Sequence, residues 1–553
     1  MASPPSDEKR VGSADPSIAK WVFIPAALII LAFVVYATAA TDNATAVISK
    51  VNEQVVGSVG WYYTAIVALF VVFALWVGIG HFGDIKLGKN EDKAEFGLGS
   101  WLAMLFAAGM GIGLVFWGVA EPLTHFAAPR PGTGEGSAAQ AQASLVQTFM
   151  HWGIHPWAIY VVVGLSVAYA VHRKGRPVSI RWALEPLLGD RVKGGLGNAI
   201  DIVAIVGTLF GVATSLGLGV MQISSGLDFL GWVDEPSTSL QVVLILCITA
   251  AAAVSVVTGV KKGIKWLSNA NMGLAAALMI FVLIAGPTLF LLNEFVTDIG
   301  AYLQNLLRLS FDTGAMQGQE GEDWQSGWTT FYWGWWISWA PFVGIFIARI
   351  SRGRTVREFV LGVMLVPTLL TFFWFAVFGG AGLHLEMFGD GGIVDKENGV
   401  DKNSALFQLL DTLPGGAFIA GVAILLIVLF FVTSSDSGSY VVDMLASGGD
   451  PNPPVWSRVF WAVLEGAVAI ALIVAGGSES LGALQTMAIL IALPFSFIML
   501  GMCYSTIKEF RRERARYLAH QRRIQTEELT DKVVAAIDAV NGDGDGGSRA
   551  KTL

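Results

Sequence analysis

Apolar runs of about twenty residues recur along most of the chain, and that feature decides the solvent in which it folds. In hydrocarbon every backbone N–H and C=O must find a partner within the protein, so such runs fold as spanning helices packed into a bundle. An all-α integral membrane protein is expected, with twelve transmembrane helices near residues 20–40, 61–81, 99–120, 143–171, 198–222, 238–258, 271–293, 327–349, 355–381, 416–437, 456–476 and 480–505. Composition agrees, since 54% of the 553 residues are hydrophobic and 14% charged, too little charge to cover a soluble domain of that length.

The net charge of −8 says less than the placement of Lys and Arg. Basic residues collect in alternate loops, at Lys86–Lys93, Arg173–Lys193, Lys261–Lys265 and Arg352–Arg357, while the loops between are acidic or nearly neutral. The positive-inside rule then puts both termini in the cytoplasm of a cell membrane. The first run, from Lys20, is longer than a signal-peptide core and reads as a retained span. Residues 1–19 read as a cytoplasmic arm, 20–505 as the transmembrane domain and 506–553 as a cytoplasmic tail. The basic start of that tail suits either anionic lipid or plain solvation. Segment 294–326 has the apolar spacing of an amphipathic helix lying on the bundle. Cys247 and Cys503 lie in apolar runs and are expected as free thiols packed like small hydrophobes.

The chemistry-bearing stretch is WTTFYWGWWISWAPFVGIFIARISRGRTVRE, residues 328–358. Trp336 and Trp339 share a helix face, and Gly334, Pro341 and Gly344 interrupt the span. Such a span is either a Trp-rich helix packed on its neighbours or one wall of an aromatic cage, the usual holder of quaternary ammonium groups. A second cluster exists in TFMHWGIHPWAIY, with Trp152, Trp157 and Tyr160, and Pro156 to distort the helix. His151 and His155 are expected as hydrogen-bonding groups, with no carboxylate or further His to complete a metal set. The third span reads FAAGMGIGLVFWGVAEP, with Gly109, Gly111 and Gly113 around Met110. Either these glycines let helices approach, or they unwind the span and offer N–H groups to an anion. Two glycine-interrupted spans in corresponding positions, third and eighth, point to the site of an inverted-repeat transporter. No Asp or Glu lies between Glu95 and Glu121, between Glu135 and Glu185, or between Asp323 and Glu358, so the cage is expected to lack a counter-ion and to favour a zwitterion. Thr433 and Ser434 offer hydroxyls that either hold a small alkali cation or bond to their own helix, and Thr208, Thr214 and Ser215 are equally ambiguous. A channel would show a filter or charge rings, and an enzyme a nucleophile with its base or metal; neither is found.

Together, AAGMGIGLVFWGVAEP, HWGIHPWAIY, FYWGWWISWAPFVGIFIARISRGRTVREF and FFVTSSDS make the chain resemble the betaine/choline/carnitine transporter family, most closely its sodium-coupled glycine betaine carriers. The resemblance covers about residues 20–505. It implies a LeuT-type five-plus-five inverted repeat, about 99–293 and 327–505, behind two extra N-terminal helices. It also implies a homotrimer and osmoprotective sodium symport of a compatible solute. The aromatic box it implies is Trp152, Trp157, Tyr160 and Trp336, lined by Trp339, with Phe331, Trp335 and Phe342 along the pathway. A sodium site is implied at the carbonyls of Ala107, Met110 and Phe430 with the hydroxyls of Thr433 and Ser434. Thr208 matches a second sodium site, but Val212 stands where those carriers have another threonine. Proton-coupled choline carriers resemble the glycine stretch but carry aspartate where this chain has Gly113. Sodium-independent carnitine antiporters place an arginine in the fifth span, where this chain has no Arg or Lys between Asp201 and Asp228. Choline, ectoine, carnitine and sulfonium betaines remain open as substrates.

Overall fold

The computed structural model describes residues 18–109, 111–134, 136–258 and 261–544; for 106–109, 258, 261–266, 478 and 539–544 it describes the backbone alone. The chain opens with helices α1 (Lys20–Ala39) and α2 (Thr41–Ile79), then α3 (Leu98–Gly109), α4 (Ile112–Ala127), α5 (Ser137–Trp152) and α6 (Ile154–Ala168). Two single-turn helices, α7 (Ile180–Ala183) and α8 (Glu185–Leu188), lead to α9 (Gly195–Phe229), α10 (Thr238–Thr258) and α11 (Lys261–Ala285). Then come α12 (Thr288–Ser310), the short α13 (Gly318–Gln325), α14 (Phe331–Ile350) and α15 (Val356–Phe388). The chain closes with α16 (Ala405–Asp411), α17 (Gly416–Ala446), α18 (Val455–Gly476) and α19 (Ser480–Gly544). Among the described residues, eleven helices are long and apolar enough to cross a membrane. The expected third span is absent from these because it is split into α3 and α4.

α14 is the axis of the bundle. Of the most apolar stretch in the span that ends at Ile350, 94% is buried, against 28% in α10, so α14 is enclosed while α10 faces outward. Its glycines are there for neighbours. A Cβ on Gly334 would stand 2.7 Å from the Ile489 Cα of α19, and one on Gly344 would stand 2.6 Å from the Val163 side chain of α6. The sequence expectation that these glycines break the eighth span is therefore corrected: α14 runs through them and through Pro341 as a continuous helix, preceded by a π turn at Ser326–Thr330. Glycine here admits backbones at close range. The second span also starts earlier than expected, at Thr41 after a break at Ala40. Cys503 is buried as expected, but Cys247 is exposed on the outward side of α10.

Three of the basic loops, at Lys86–Lys93, Arg173–Lys193 and Arg352–Arg357, meet one another, with Arg173 donating to Gly88 O at 2.7 Å. Leu87 N–H donates to Arg354 O at 2.8 Å, Gly353 N–H to Leu87 O at 2.7 Å, and the Arg354 guanidinium lies 4.1 Å over the Trp101 ring. The first turns of the tail join them, through Lys174–Glu509 at 2.6 Å, the Arg173–Glu513 pair and Arg514 donating to His81 O at 2.8 Å. α19 passes Ser505 without a break.

The amphipathic helix expected within 294–326 is present as α12, with its buried positions, including Leu291, Asp298, Tyr302 and Leu309, on one face. Asp298 is fully buried, and neither carboxylate oxygen has a partner among the described residues. Burial, followed by the charge of Glu294, pushes its carboxyl up to about 8. An acid that holds its proton more tightly when docked favours the docked state at low pH and loses that preference as pH rises through about 8. Amide exchange of α12, corrected for its intrinsic pH dependence, is therefore expected to speed up as pH rises from about 4 to about 8 and to level off above that. Asp298→Asn should flatten that rise; an unchanged profile in the variant would remove Asp298 as its cause.

Candidate substrate site at two broken helices

Two interruptions build the site. The first is at Gly111, which is extended (φ −156°, ψ −169°) and caps the start of α4. The second is Gly153 (φ −94°, ψ −128°), between α5 and α6. Pro156 does not make that bend. It sits in the first turn of α6, where a missing N–H costs nothing. Each break leaves backbone groups that only the protein can satisfy. Trp336 Nε1 donates to His151 O at 2.9 Å and Thr371 Oγ1 to Trp152 O at 3.1 Å, closing the end of α5. Trp374 Nε1 donates to Leu114 O at 2.8 Å in the first turn of α4.

The expected cage residues converge here and all are buried. Trp152 and Trp336 meet edge to face with centroids 4.9 Å apart. Tyr160 lies 5.5 Å from Trp157 and 6.5 Å from Trp336, and Trp339 lies 6.5 Å from Trp336. Trp335 stacks on Trp336 at 4.6 Å and on Phe331 at 5.5 Å, and Phe342 lies 5.6 Å from Trp339. The start of α4 faces these rings. A Cβ on Gly111 would touch Trp339 Cη2 at 3.6 Å, and one on Gly113 would strike Trp335 Cη2 at 2.6 Å and Trp152 Cη2 at 3.0 Å. Three buried donors, Tyr160 OH, Trp335 Nε1 and Trp339 Nε1, have no partner among the described residues. Met110 lies outside the described residues, and of Gly109 and Ala107 the backbone alone is described.

A carboxylate stands behind the cage, contrary to the sequence expectation. Fully buried Glu121 accepts from Trp152 Nε1 at 2.7 Å and from Tyr332 OH on one oxygen, and bonds His151 Nδ1 at 2.6 Å on the other. His125 Nε2 is 3.4 Å from the same carboxylate. The view that nothing completes a set around His151 is corrected too, because ligating atoms of Glu121, His125 and His151 lie within 4.8 Å of one another. His151 also bonds Gln147 and Thr329, both at 3.0 Å, and His155 bonds Ser310 at 2.9 Å, so both histidines are hydrogen-bonding groups in this fold. Glu121 could have been found in the sequence: a carboxylate inside an apolar span is a functional candidate by default. It is eight residues past Gly113 but thirty-one before Trp152, and only the fold brings it to that indole.

The hydroxyls divide. Thr433 Oγ1 lies 3.0 Å and 3.2 Å from the Leu429 and Phe430 carbonyls and accepts from Asn271 Nδ2 of α11 at 2.9 Å; Ser434 beside it is half-buried. Thr214 and Ser215 bond back to Phe210 O and Gly211 O, at 2.9 Å and 3.3 Å. Thr208 is buried, and its hydroxyl has no partner among the described residues.

Residues 21–515 match the family described as BCCT, betaine/carnitine/choline family transporter. An uncharacterized transporter of Mycobacterium tuberculosis, Rv0917, is 52% identical over 507 residues, covering 91% of this chain and 84% of that protein. The glycine betaine transporter OpuD of Bacillus subtilis is 44% identical over 495 residues (89% of this chain, 94% of that one). Glycine betaine transporter 1 of Vibrio parahaemolyticus is 44% identical over 509 residues (90% and 96%). Among solved structures, a manganese transporter mutant of Eremococcus coleocola matches with a TM-score of 0.36 and 13% identity over 74% of this chain and 81% of that one, too slight a likeness to argue from.

Gly113→Ala tests the tight approach of α4 to the indoles. Overpacking of this kind costs about 1–3 kcal/mol, so ligand affinity should fall about ten-fold or more, with a shift in tryptophan emission. Unchanged affinity and emission would mean that Trp335 and Trp152 do not crowd Gly113 as described.

Proposed function

We propose that this chain, which belongs to the betaine/carnitine/choline family of transporters, is a sodium-driven symporter that imports glycine betaine or a close relative. The observation that carries this is the clustering of four buried rings, Trp152, Trp157, Tyr160 and Trp336, beside the glycine-bounded start of α4, which Trp152 meets at Gly113. Ring faces attract a methylated ammonium, and the first N–H groups of a helix, with its positive dipole end, attract a carboxylate. A betaine carries both groups. The free donors Tyr160 OH, Trp335 Nε1 and Trp339 Nε1 add hydrogen bonds for its carboxylate end. The family and these relatives are transporters, not enzymes.

With Glu121 bonded to Trp152, lack of a counter-ion no longer favours a zwitterion over choline. Preference for the zwitterion rests on the two named glycine betaine transporters and on the start of α4. Glu121 in turn favours choline, a bare cation, as the second reading. Sodium is assigned to the carbonyls of Ala107, Met110 and Phe430 with the hydroxyls of Thr433 and Ser434; a second ion is assigned to Thr208. The match of these residues to sodium-coupled carriers and the unpartnered Thr208 hydroxyl support the assignment. In the same proposal the split third span completes twelve helices, 99–293 and 327–505 form a LeuT-type inverted repeat, and three copies assemble. Both termini face the cytoplasm of the inner membrane, and the basic tail meets anionic lipid. Contact among three of the basic loops and the start of the tail supports that orientation.

Uptake of labelled glycine betaine and choline into proteoliposomes, with and without an inward sodium gradient, tests both substrate and coupling. Sodium-dependent betaine uptake is expected, and sodium-indifferent choline uptake would sink the coupling. Trp336→Ala should weaken betaine binding about thirty-fold, since one desolvated cation–π contact is worth about 2 kcal/mol. Wild-type affinity in that variant would remove the cage.

A further inference from the structure

Away from the cage, a second carboxylate is sealed inside the bundle. Glu465 lies ten residues into α18 from Val455 and eleven short of Gly476, so about 15 Å of helix separates it from either end. It is fully buried. Its Oε2 accepts from Ser435 Oγ of α17 at 3.1 Å. Its Oε1 is buried with no hydrogen-bond partner among the described residues. That oxygen looks onto Gly438 of α17 and Val212 of α9: a Cβ on Gly438 would be 3.1 Å from Glu465 Oε1 and 3.0 Å from a Val212 methyl. The charged group facing Glu465 is Asp436 on α17, which has the same sign. On α10, next to Gly466, the facing polar group is the uncharged Thr249. Among the described residues no ion pair includes Glu465.

An ionised carboxylate cannot be kept at that depth without something to neutralise it. Hard cations gather about six oxygens, and the free oxygen here is walled by an isopropyl group and a glycine. A proton fits that wall; an alkali cation does not. We propose that Glu465 is a proton-binding site of the transport cycle, an inference that rests on the transport function proposed above. With α9, α17 and α18 packed as described, the carboxyl holds its proton. When the helices separate and water reaches Oε1, the O–H bond breaks heterolytically, the proton passes to water and the carboxylate is left hydrated. Taken up on one side and released on the other, the proton moves with the solute, and an inward proton gradient adds to the drive for uptake.

The test uses the full chain in proteoliposomes. With wild type and the pH dye pyranine outside, betaine addition should alkalinise the exterior, and an acid exterior should speed betaine uptake several-fold at fixed sodium. Glu465→Gln keeps the shape of the protonated acid. It should abolish both responses while leaving betaine affinity, read by tryptophan fluorescence at fixed pH, unchanged. The wild-type dye measurement stands even if the variant does not fold. Betaine uptake without any proton signal in wild type would overturn the proton site and leave the transporter intact. No betaine uptake under any gradient would overturn the function proposed above instead. Undiminished proton responses in Glu465→Gln would overturn the assignment to this residue. Loss of sodium dependence in that variant, with no proton signal, would make Glu465 a sodium ligand and overturn the proton.

Discussion

A helix broken inside a membrane leaves carbonyls and N–H groups that no water can satisfy, and the site described above follows from how this chain meets that constraint. At the end of α5 the orphaned carbonyls of His151 and Trp152 take their hydrogen bonds from Trp336 and Thr371. A wall of the cage is thus also a cap. Trp336 is held at one edge by a backbone group, which fixes the direction its faces can offer. At the start of α4 the opposite need arises, for the first N–H groups have no intrahelical acceptor. Indoles crowd around them, and a ligand carboxylate is the acceptor such an end suits.

Glu121 ties these pieces into one unit. It joins α4 to α5 through Trp152 and His151, and to α14 through Tyr332. Networks of this kind in low dielectric set geometry firmly, because any member left unpaired is costly. Orientation of the Trp152 indole therefore depends on a side chain that touches its edge and not its face.

Much of this was legible in the sequence because lipid leaves few options. Run length gave eleven of the spans, Gly109–Gly113 marked the real break at Gly111, and the tryptophans of two distant spans implied one another. What failed has a common physical cause. In a bilayer the same apolar residues face lipid and core, so Cys247 and Cys503 look alike in sequence and differ only in the fold. A glycine that breaks a helix is likewise indistinguishable from one that admits a neighbour. Gly334 belongs to the second kind because Ile489, more than 150 positions away, lies against it. Among hydroxyls, Thr208 differs from Thr214 and Ser215 only in which way it turns, and no pattern of three and four residues records that. Glu121 was legible in kind, as a carboxylate in an apolar span, but not in place.

The close seat of Gly334 on Ile489 has a mechanical side. α19 runs unbroken for 65 residues, from the spanning segment that touches α14 out through the basic tail. At 1.5 Å per residue it is a rod roughly 100 Å long, most of it beyond its contact with the central helix. A tilt of about 5° at Ile489 would displace backbone fifty residues on by about 6 Å. Small motions next to the aromatic site are thereby magnified at the far end of the molecule, and a force applied there reaches α14 with the advantage of a long arm.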